Sequence, residues 1–303
     1  MIKLGIIGYS KLNGHPYSFS GIINGINKYY FKNYANWPFI YEYLIKNKKK
    51  LGFKGMRITH VWTQNYILTK KIANACLIKN ACLSLKEMNQ DIDAVIIARD
   101  DWKSHFNLAI PFLKNNIPTF VDKPLTLNKN EMVLFKPYLK KGILMSCSGL
   151  RFSAKILNLK KNLKKLGRIK CIEALVVNNF EKYGVHMLDI INELLGVKYH
   201  SICKISPNKQ FYKITTNNGI SFFLKCLGKV DKIFEINLFC SKKNLKIKID
   251  DNFNAFYNTL RNFEKMIKTK KNPIKFDKTI NIMNTLKVGS AIKKFNKKKQ
   301  CLI

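Results

Sequence analysis

The chain opens on a rhythm of short apolar runs separated by helically spaced ones. Residues 3–8, 57–63, 93–98 and 119–122 read as strands. Apolar runs that do not alternate with polar residues mark strands covered on both faces, as in a parallel sheet under helices. Between them, residues 65–78 place Ile67, Ile72, Ala75 and Cys76 at helical spacing. Residues 104–115 do the same with Leu108, Ala109, Phe112 and Leu113, with a kink expected at Pro111. Residues 81–85 predict a short strand, followed by one helical turn around Glu87 and Met88. Strand and helix in alternation, joined by right-handed crossovers, give a doubly wound α/β sheet whose ligand crevice opens at the strand C-termini.

Nearly fifty residues separate the first two strands, more than one crossover helix needs. Their middle is aromatic: Tyr29, Tyr30, Phe31, Tyr34, Trp37, Phe39, Tyr41 and Tyr43. This predicts a packed insertion over the sheet edge, with substrate stacking as the alternative. After residue 125 the pattern changes. Residues 130–140 read as a helix, and longer alternating strands follow at 169–178, 211–216, 220–226, 234–240 and 245–249. Asn217-Asn218-Gly219 is a hairpin turn between two of them. Residues 254–268 and 279–295 are amphipathic helices. The expected organisation is a Rossmann domain with a doubly wound parallel sheet (residues 1–124), then an α+β domain with a mainly antiparallel open sheet (residues 125–303).

Composition narrows the class. The chain has 303 residues, 47% hydrophobic and 24% charged, which suits a globular protein of two domains. No apolar run is long enough to span a bilayer, so no membrane partner is expected. The eight cysteines form no C-x-x-C pair, and several stand beside apolar residues; reduced core thiols, a cytoplasmic location and no metal are expected. The net charge of +37 would suit a polyanion, yet only five basic residues are arginine, the residue that reads bases and phosphates bidentately. No specific nucleic-acid partner is expected.

Candidate chemistry gathers where strands end. The first strand runs into Gly8-Tyr9-Ser10 and on to Gly14-His15-Pro16, a loop that can approach a pyrophosphate although it lacks G-x-G-x-x-G. Ser18 and Ser20 are candidate caps for the helix that follows. The second strand ends at Thr63-Gln64-Asn65, with no carboxylate to bond a ribose 2′-hydroxyl, so NAD and NADP both remain open. Arg99 and His105 follow the strand at 93–98 and can face cofactor or substrate; Asp101 is placed to cap the next helix. Lys123, held extended before Pro124, can bond a substrate hydroxyl and a nicotinamide ribose. Further on, His186 and Asp189 share a helix side, with Glu181 and Lys182 just upstream. A histidine there can exchange a proton with an alcohol.

Taken together, Asp93-Ala94-Val95-Ile96-Ile97-Ala98, His105, Asp122-Lys123-Pro124, Arg151-Phe152, His186-Met187-Leu188-Asp189 and Val288-Gly289-Ser290-Ala291 resemble the Gfo/Idh/MocA (glucose–fructose oxidoreductase/inositol dehydrogenase) family. The resemblance spans nearly the whole chain. It implies an NAD- or NADP-dependent oxidoreductase moving a hydride to or from a sugar, cyclitol or nucleotide-sugar carbon. It implies Lys123 and His186 as catalytic residues, with Asp189 orienting the histidine or bonding a sugar hydroxyl. Gly8, Tyr9, Ser10, Gly14, His15, Gln64, Arg99, Asp100, His105, Asp122 and Lys123 would hold the cofactor, and Arg151, Glu181 and Lys182 the substrate. By analogy the protein would be a homodimer or homotetramer. Two features depart from the family pattern. Lys182 stands where an aspartate is usual, four residues before His186, although Glu181 is adjacent, and the glycine fingerprint is altered to Gly8…Gly14-His15-Pro16. A non-catalytic binding protein of the same fold is the alternative.

Overall fold

The computed structural model describes residues 1–88, 91–292 and 301–303. In chain order the elements are β1 (Ile2–Ile7), α1 (His15–Asn24), α2 (Lys28–Tyr34), α3 (Pro38–Lys46), β2 (Met56–Trp62), α4 (Tyr66–Ala75), β3 (Asn80–Ala81), α5 (Leu85–Met88), β4 (Ala94–Ile97), α6 (Trp102–Lys114), β5 (Thr119–Val121), α7 (Lys129–Lys141) and β6 (Leu144–Ser146). They continue with α8 (Ala154–Asn162), β7 (Ile169–Val176), α9 (Val185–Leu195), β8 (Tyr199–Lys204), β9 (Gln210–Thr216), β10 (Ser221–Cys226), β11 (Phe234–Cys240), β12 (Leu245–Lys248), α10 (Asn252–Thr269), α11 (Phe276–Ala291) and β13 (Cys301–Leu302). The chain divides into two compact units. The first comprises Met1–Thr126, Val133–Ser146 and Phe256–Pro273; the second comprises Leu127–Met132, Cys147–Ala255 and Ile274–Ile303.

In the first unit six parallel strands lie in the order β3-β2-β1-β4-β5-β6. The order reverses between β1 and β4, which pair with Leu4 opposite Ala94 and Ile7 opposite Ile97. Such a reversal opens a crevice at the strand C-termini. The apolar run of β4 is buried at every position, as a strand covered on both faces requires. The sixth strand, β6, pairs with β5 through Val121 and Ser146; the sequence reading did not anticipate it. The aromatic insertion folds as α2 and α3. Asn27 caps α2 by accepting from Tyr30 N, and Phe31 packs edge-on to Tyr17 at 5.6 Å.

The second unit holds seven strands in the order β12-β11-β7-β10-β9-β8-β13, antiparallel except where β10 runs parallel to β7. Gly219 closes the β9–β10 hairpin at φ +84, a conformation that favours glycine. At Gly289 of α11 a side chain would stand 2.4 Å from Phe180 Cε1. Glycine there lets α11 press against the π-helical turn Phe180–Gly184 that leads into α9.

Several expectations are corrected. The helix after the first loop begins at His15, so Ser18 and Ser20 lie inside α1 and cap nothing; Pro16 suits the first turn, where its missing N–H is no loss. Asp101 stands at the N-cap of α6 without a side-chain cap bond, because Arg99 engages its carboxylate at 2.7 and 2.8 Å. α6 runs on through Pro111. The helix expected over 279–295 is α11, ending at Ala291, and residues 293–295 lie outside the described residues. Among the described residues no helix is long and apolar enough to cross a membrane. Among the described residues seven cysteines are free thiols, and burial pushes Cys82 up to about 11 and Cys226 up to about 12.

Candidate active site

At the C-terminal ends of β1, β2, β4 and β5 the loops are tied to one another by side chains. Gln64, after β2, grips the β1 loop on both sides: its Oε1 accepts from Tyr9 N at 3.1 Å and its Nε2 donates to Tyr9 O at 2.7 Å. Arg99, after β4, donates to the same Gln64 Oε1 at 3.1 Å. Ser10 Oγ donates to Asp100 Oδ1 at 2.6 Å. Gly8 lets the loop lie on α1, since a Cβ there would fall 2.8 Å from Pro16 Cγ. Gly14 occupies the N-cap of α1. Tyr9, Ser10, Gln64, Arg99 and Asp100 thus come together at the switch point.

The end of β5 is more deeply set. Asp122 and Lys123 are 2% and 5% exposed. Asp122 Oδ1 accepts from Lys123 N at 2.8 Å, and Oδ2 lies 2.5 Å from His15 Nδ1 and accepts from Asn13 Nδ2 at 3.2 Å. Burial alone would raise the Asp122 pKa, but the charge and hydrogen bond of His15, with Lys123 beside it, hold the carboxyl well below the usual carboxylate range. The His15 ring stacks on Phe19 at 5.0 Å and meets Phe256 edge-on at 5.2 Å. One carboxylate therefore links the glycine loop, the start of α1 and the backbone of Lys123.

His105 has a different place from the one expected of it. It is fully buried, with Nε2 2.9 Å from Arg99 O and Nδ1 3.0 Å from Pro124 O. It braces the β4 loop against the β5 loop rather than facing a ligand. Burial lowers its pKa against carbonyl bonds that favour the protonated ring.

In the second unit His186 sits in the first turn of α9, its ring 5.7 Å from that of Tyr183 and edge-on to Phe234 at 5.4 Å. Its Nδ1 lies 2.6 Å from Ser148 Oγ, a residue the sequence reading passed over. Asp189 was expected to orient His186 or to bond a sugar hydroxyl. It is 2% exposed and does neither: Oδ2 accepts from Ser148 N at 2.7 Å, and Oδ1 accepts from Arg151 Nη1 at 2.5 Å. Three residues along a helix put the two side chains on one side, but the buried guanidinium draws the carboxylate away. Arg151 is likewise enclosed, not presented to a substrate, and its Nη2 donates to Glu193 at 2.7 Å. Burial works against its charge, and Asp189 and Glu193 more than restore it. Glu193 also pairs with Lys160 at 2.5 Å. Glu181 and Lys182 lie in the π-helical turn, where Asn179 accepts from Lys182 N at 2.9 Å.

Among the described residues no group of three or more metal-ligating side chains comes together. The donor set at the switch point does fit a dinucleotide. A glycine-closed loop leads into a helix N-terminus, an arginine and a lysine stand at neighbouring strand ends, and β2 ends in amides that impose no charge on a ribose phosphate.

Residues 40–141 match the model of the oxidoreductase family with NAD-binding Rossmann fold, the Gfo/Idh/MocA family. That stretch takes in the motifs at residues 93–98, 105 and 122–124. No curated protein matches by sequence. Among solved structures the chain is similar to myo-inositol 2-dehydrogenase from Lactobacillus plantarum, with 14% identity, TM-score 0.76, and 100% of this chain and 99% of that one covered. It is also similar to scyllo-inositol dehydrogenase from Lactobacillus casei with bound NAD(H) and scyllo-inositol, at 14% identity, TM-score 0.76 and the same coverage, 100% and 99%. A third is UDP-N-acetylglucosamine 3-dehydrogenase from Acidithiobacillus ferrooxidans, at 13% identity and TM-score 0.69, covering 96% of this chain and 98% of that one.

Proposed function

From the match of residues 40–141 to the Gfo/Idh/MocA oxidoreductases, we propose that this protein is an NAD- or NADP-dependent dehydrogenase or reductase acting on a CH–OH group of a sugar, cyclitol or nucleotide sugar. The observation that carries the reading is Lys123. It is a buried lysine at the C-terminal end of β5, its backbone bonded to a carboxylate that also grips the glycine loop. The printed substrates of the structurally similar dehydrogenases, inositols and a UDP-sugar, motivate the substrate class.

The nicotinamide, when bound, supplies the acceptor or donor of the hydride. Lys123 polarises the substrate oxygen and anchors the ribose. His186 takes the alcohol proton during oxidation and returns it during reduction. Tyr9, Ser10, Gly14, His15, Gln64, Arg99 and Asp100 hold the dinucleotide. Asp189 supports the site through Ser148. We further read the protein as a cytoplasmic homodimer or homotetramer; a monomer by light scattering would remove the oligomer.

A second reading, a non-catalytic binding protein, rests on Lys182 in place of the family aspartate. One screen separates the two. Polyols and nucleotide sugars are offered with NAD⁺ and NADP⁺, and reduced nicotinamide is followed by absorbance. Turnover of any one, abolished by Lys123→Ala, supports the enzyme. Saturable ligand binding without turnover supports the second reading.

A further inference from the structure

We propose that the tyrosine side of α2, with the lysines of α2 and of the turn after α3, is a docking surface for an anionic lipid bilayer. Contact with a membrane surface needs no spanning helix. It also needs no turnover, so it stands or falls separately from the dehydrogenase reading.

The aromatic insertion divides into an anchored side and an open one. Phe31 and Ala35, four apart on α2, are buried. Phe31 meets Tyr17 edge-on at 5.6 Å and lies 6.0 Å from Tyr41. At the helix start, Asn27 N donates to Ala75 O at 3.0 Å. The other side carries Tyr29, Tyr30 and Tyr34, which are 64%, 39% and 44% exposed. Tyr29 meets Tyr30 edge-on at 5.7 Å and Tyr34 edge-on at 6.2 Å, and Tyr30 lies tilted 5.6 Å from Tyr34. Large aromatic side chains stabilise a fold by burial, and these three forgo much of it. Charge gathers around them. Residues 28–50 contain six lysines, no arginine and one acidic residue, Glu42. Lys28 and Lys32 stand one helical turn apart on α2, and Lys46, Lys48 and Lys49 follow at the end of α3 and beyond; all five are exposed.

Charge and ring geometry together select the partner. Tyrosine pairs an apolar body with a polar tip and suits the headgroup level of a bilayer. Lysine stems can lie along the same boundary while their ammonium groups meet lipid phosphates. Apolar area and basic charge reinforce one another at such a surface. A second copy of this chain would bring the same lysines and be repelled. A nucleic-acid strand needs open ring faces on which its bases can stack. Here the tyrosines turn edges and faces toward one another, and arginine is absent from the segment. An anionic bilayer asks for neither open faces nor arginine.

The test is co-sedimentation of the full chain with vesicles at moderate salt. One set is phosphatidylcholine alone; the other is phosphatidylcholine with an equal share of phosphatidylglycerol. The expected result is partition onto the anionic vesicles and not onto the neutral ones. Replacing Tyr29, Tyr30 and Tyr34 together by serine leaves the net charge unchanged, and should lower that partition about tenfold through lost apolar contact. Lys28→Gln with Lys32→Gln should lower it about 25-fold, at roughly fivefold for each lysine near the surface. Lys242→Gln with Lys243→Gln removes the same charge from exposed positions in the second unit and should cost far less. No partition onto anionic vesicles overturns the proposal. So does a tyrosine variant that partitions like the wild type, or equal losses from the two lysine pairs, which would mean attraction to charge at large. Single-stranded poly(dT) is the remaining arm: if the tyrosine variant loses poly(dT) binding but keeps vesicle binding, the surface belongs to nucleic acid and the proposal falls. If the triple variant fails to fold, Tyr29→Ser, at the most exposed of the three rings, decides in its place.

Discussion

The two polar regions are built in opposite ways. At the switch point of the parallel sheet, side chains tie loops together in pairs: Gln64 to Tyr9, Ser10 to Asp100, His15 to Asp122. Around His186 the groups form one connected chain, Lys160–Glu193–Arg151–Asp189–Ser148–His186, much of it closed from solvent. Pairwise ties hold loops that must admit a ligand, and losing one leaves the rest in place. A buried chain fixes a single ring, and losing an inner link leaves a charge without its partner. The first arrangement should therefore fail locally in binding or turnover, and the second in stability.

Lys123→Ala should show the largest effect. We expect kcat/KM to fall about 10³-fold, within the range for a positioned catalytic group, with the urea midpoint near that of the wild type. A loss of stability to match would place Lys123 among structural residues and blur the contrast. Arg151→Met comes next and should do the reverse. It leaves Asp189 buried without its ion pair, which costs about 3–5 kcal/mol in unfolding free energy; urea titration measures it. A stability change under about 1 kcal/mol would show that the chain is not acting as one unit.

Asp122→Asn should weaken dinucleotide binding about tenfold, some 1.4 kcal/mol, because the His15 tie to the Lys123 strand is reduced to a neutral one. A fluorescence titration checks it. The smallest effect is in pH. The folded Asp122 pKa lies below its unfolded value of about 3.9. Its stabilisation is therefore present above about pH 4 and is lost as pH falls toward the folded pKa. Asp122→Asn should flatten that acid decline; an identical slope in both proteins would mean that His15 and Asp122 are not coupled.

The parallel half was legible because its signals are local. Apolar runs announce β1, β4 and β5, and the residues that follow a strand fall at the crevice whatever else the fold does. Gln64, Arg99, Asp122 and Lys123 were found that way. β6 escaped because three residues, Leu144–Ser146, carry no periodicity after a lysine-rich helix. His105 was placed at the crevice by its position in the chain, but whether a ring faces outward is decided by carbonyls on another loop. In the second unit the glycine-led helix start marked His186. Ser148 carried no signal, because a lone serine before a 3-10 turn reads as a cap, and its second bond spans 38 residues. Arg151 was visible in Arg-Phe, while its burial against Asp189 and Glu193 depends on tertiary packing alone.

The central claim is that the strand ends of the parallel sheet hold a nicotinamide dinucleotide. Its most direct test is a titration of the purified protein with NADH and NADPH, read by nicotinamide fluorescence at moderate salt, with ATP as a polyanion control. The account predicts saturable binding of at least one dinucleotide that ATP does not match and that Asp122→Asn weakens. Binding that only tracks ligand charge, as a surface of net charge +37 would give unaided, would contradict it.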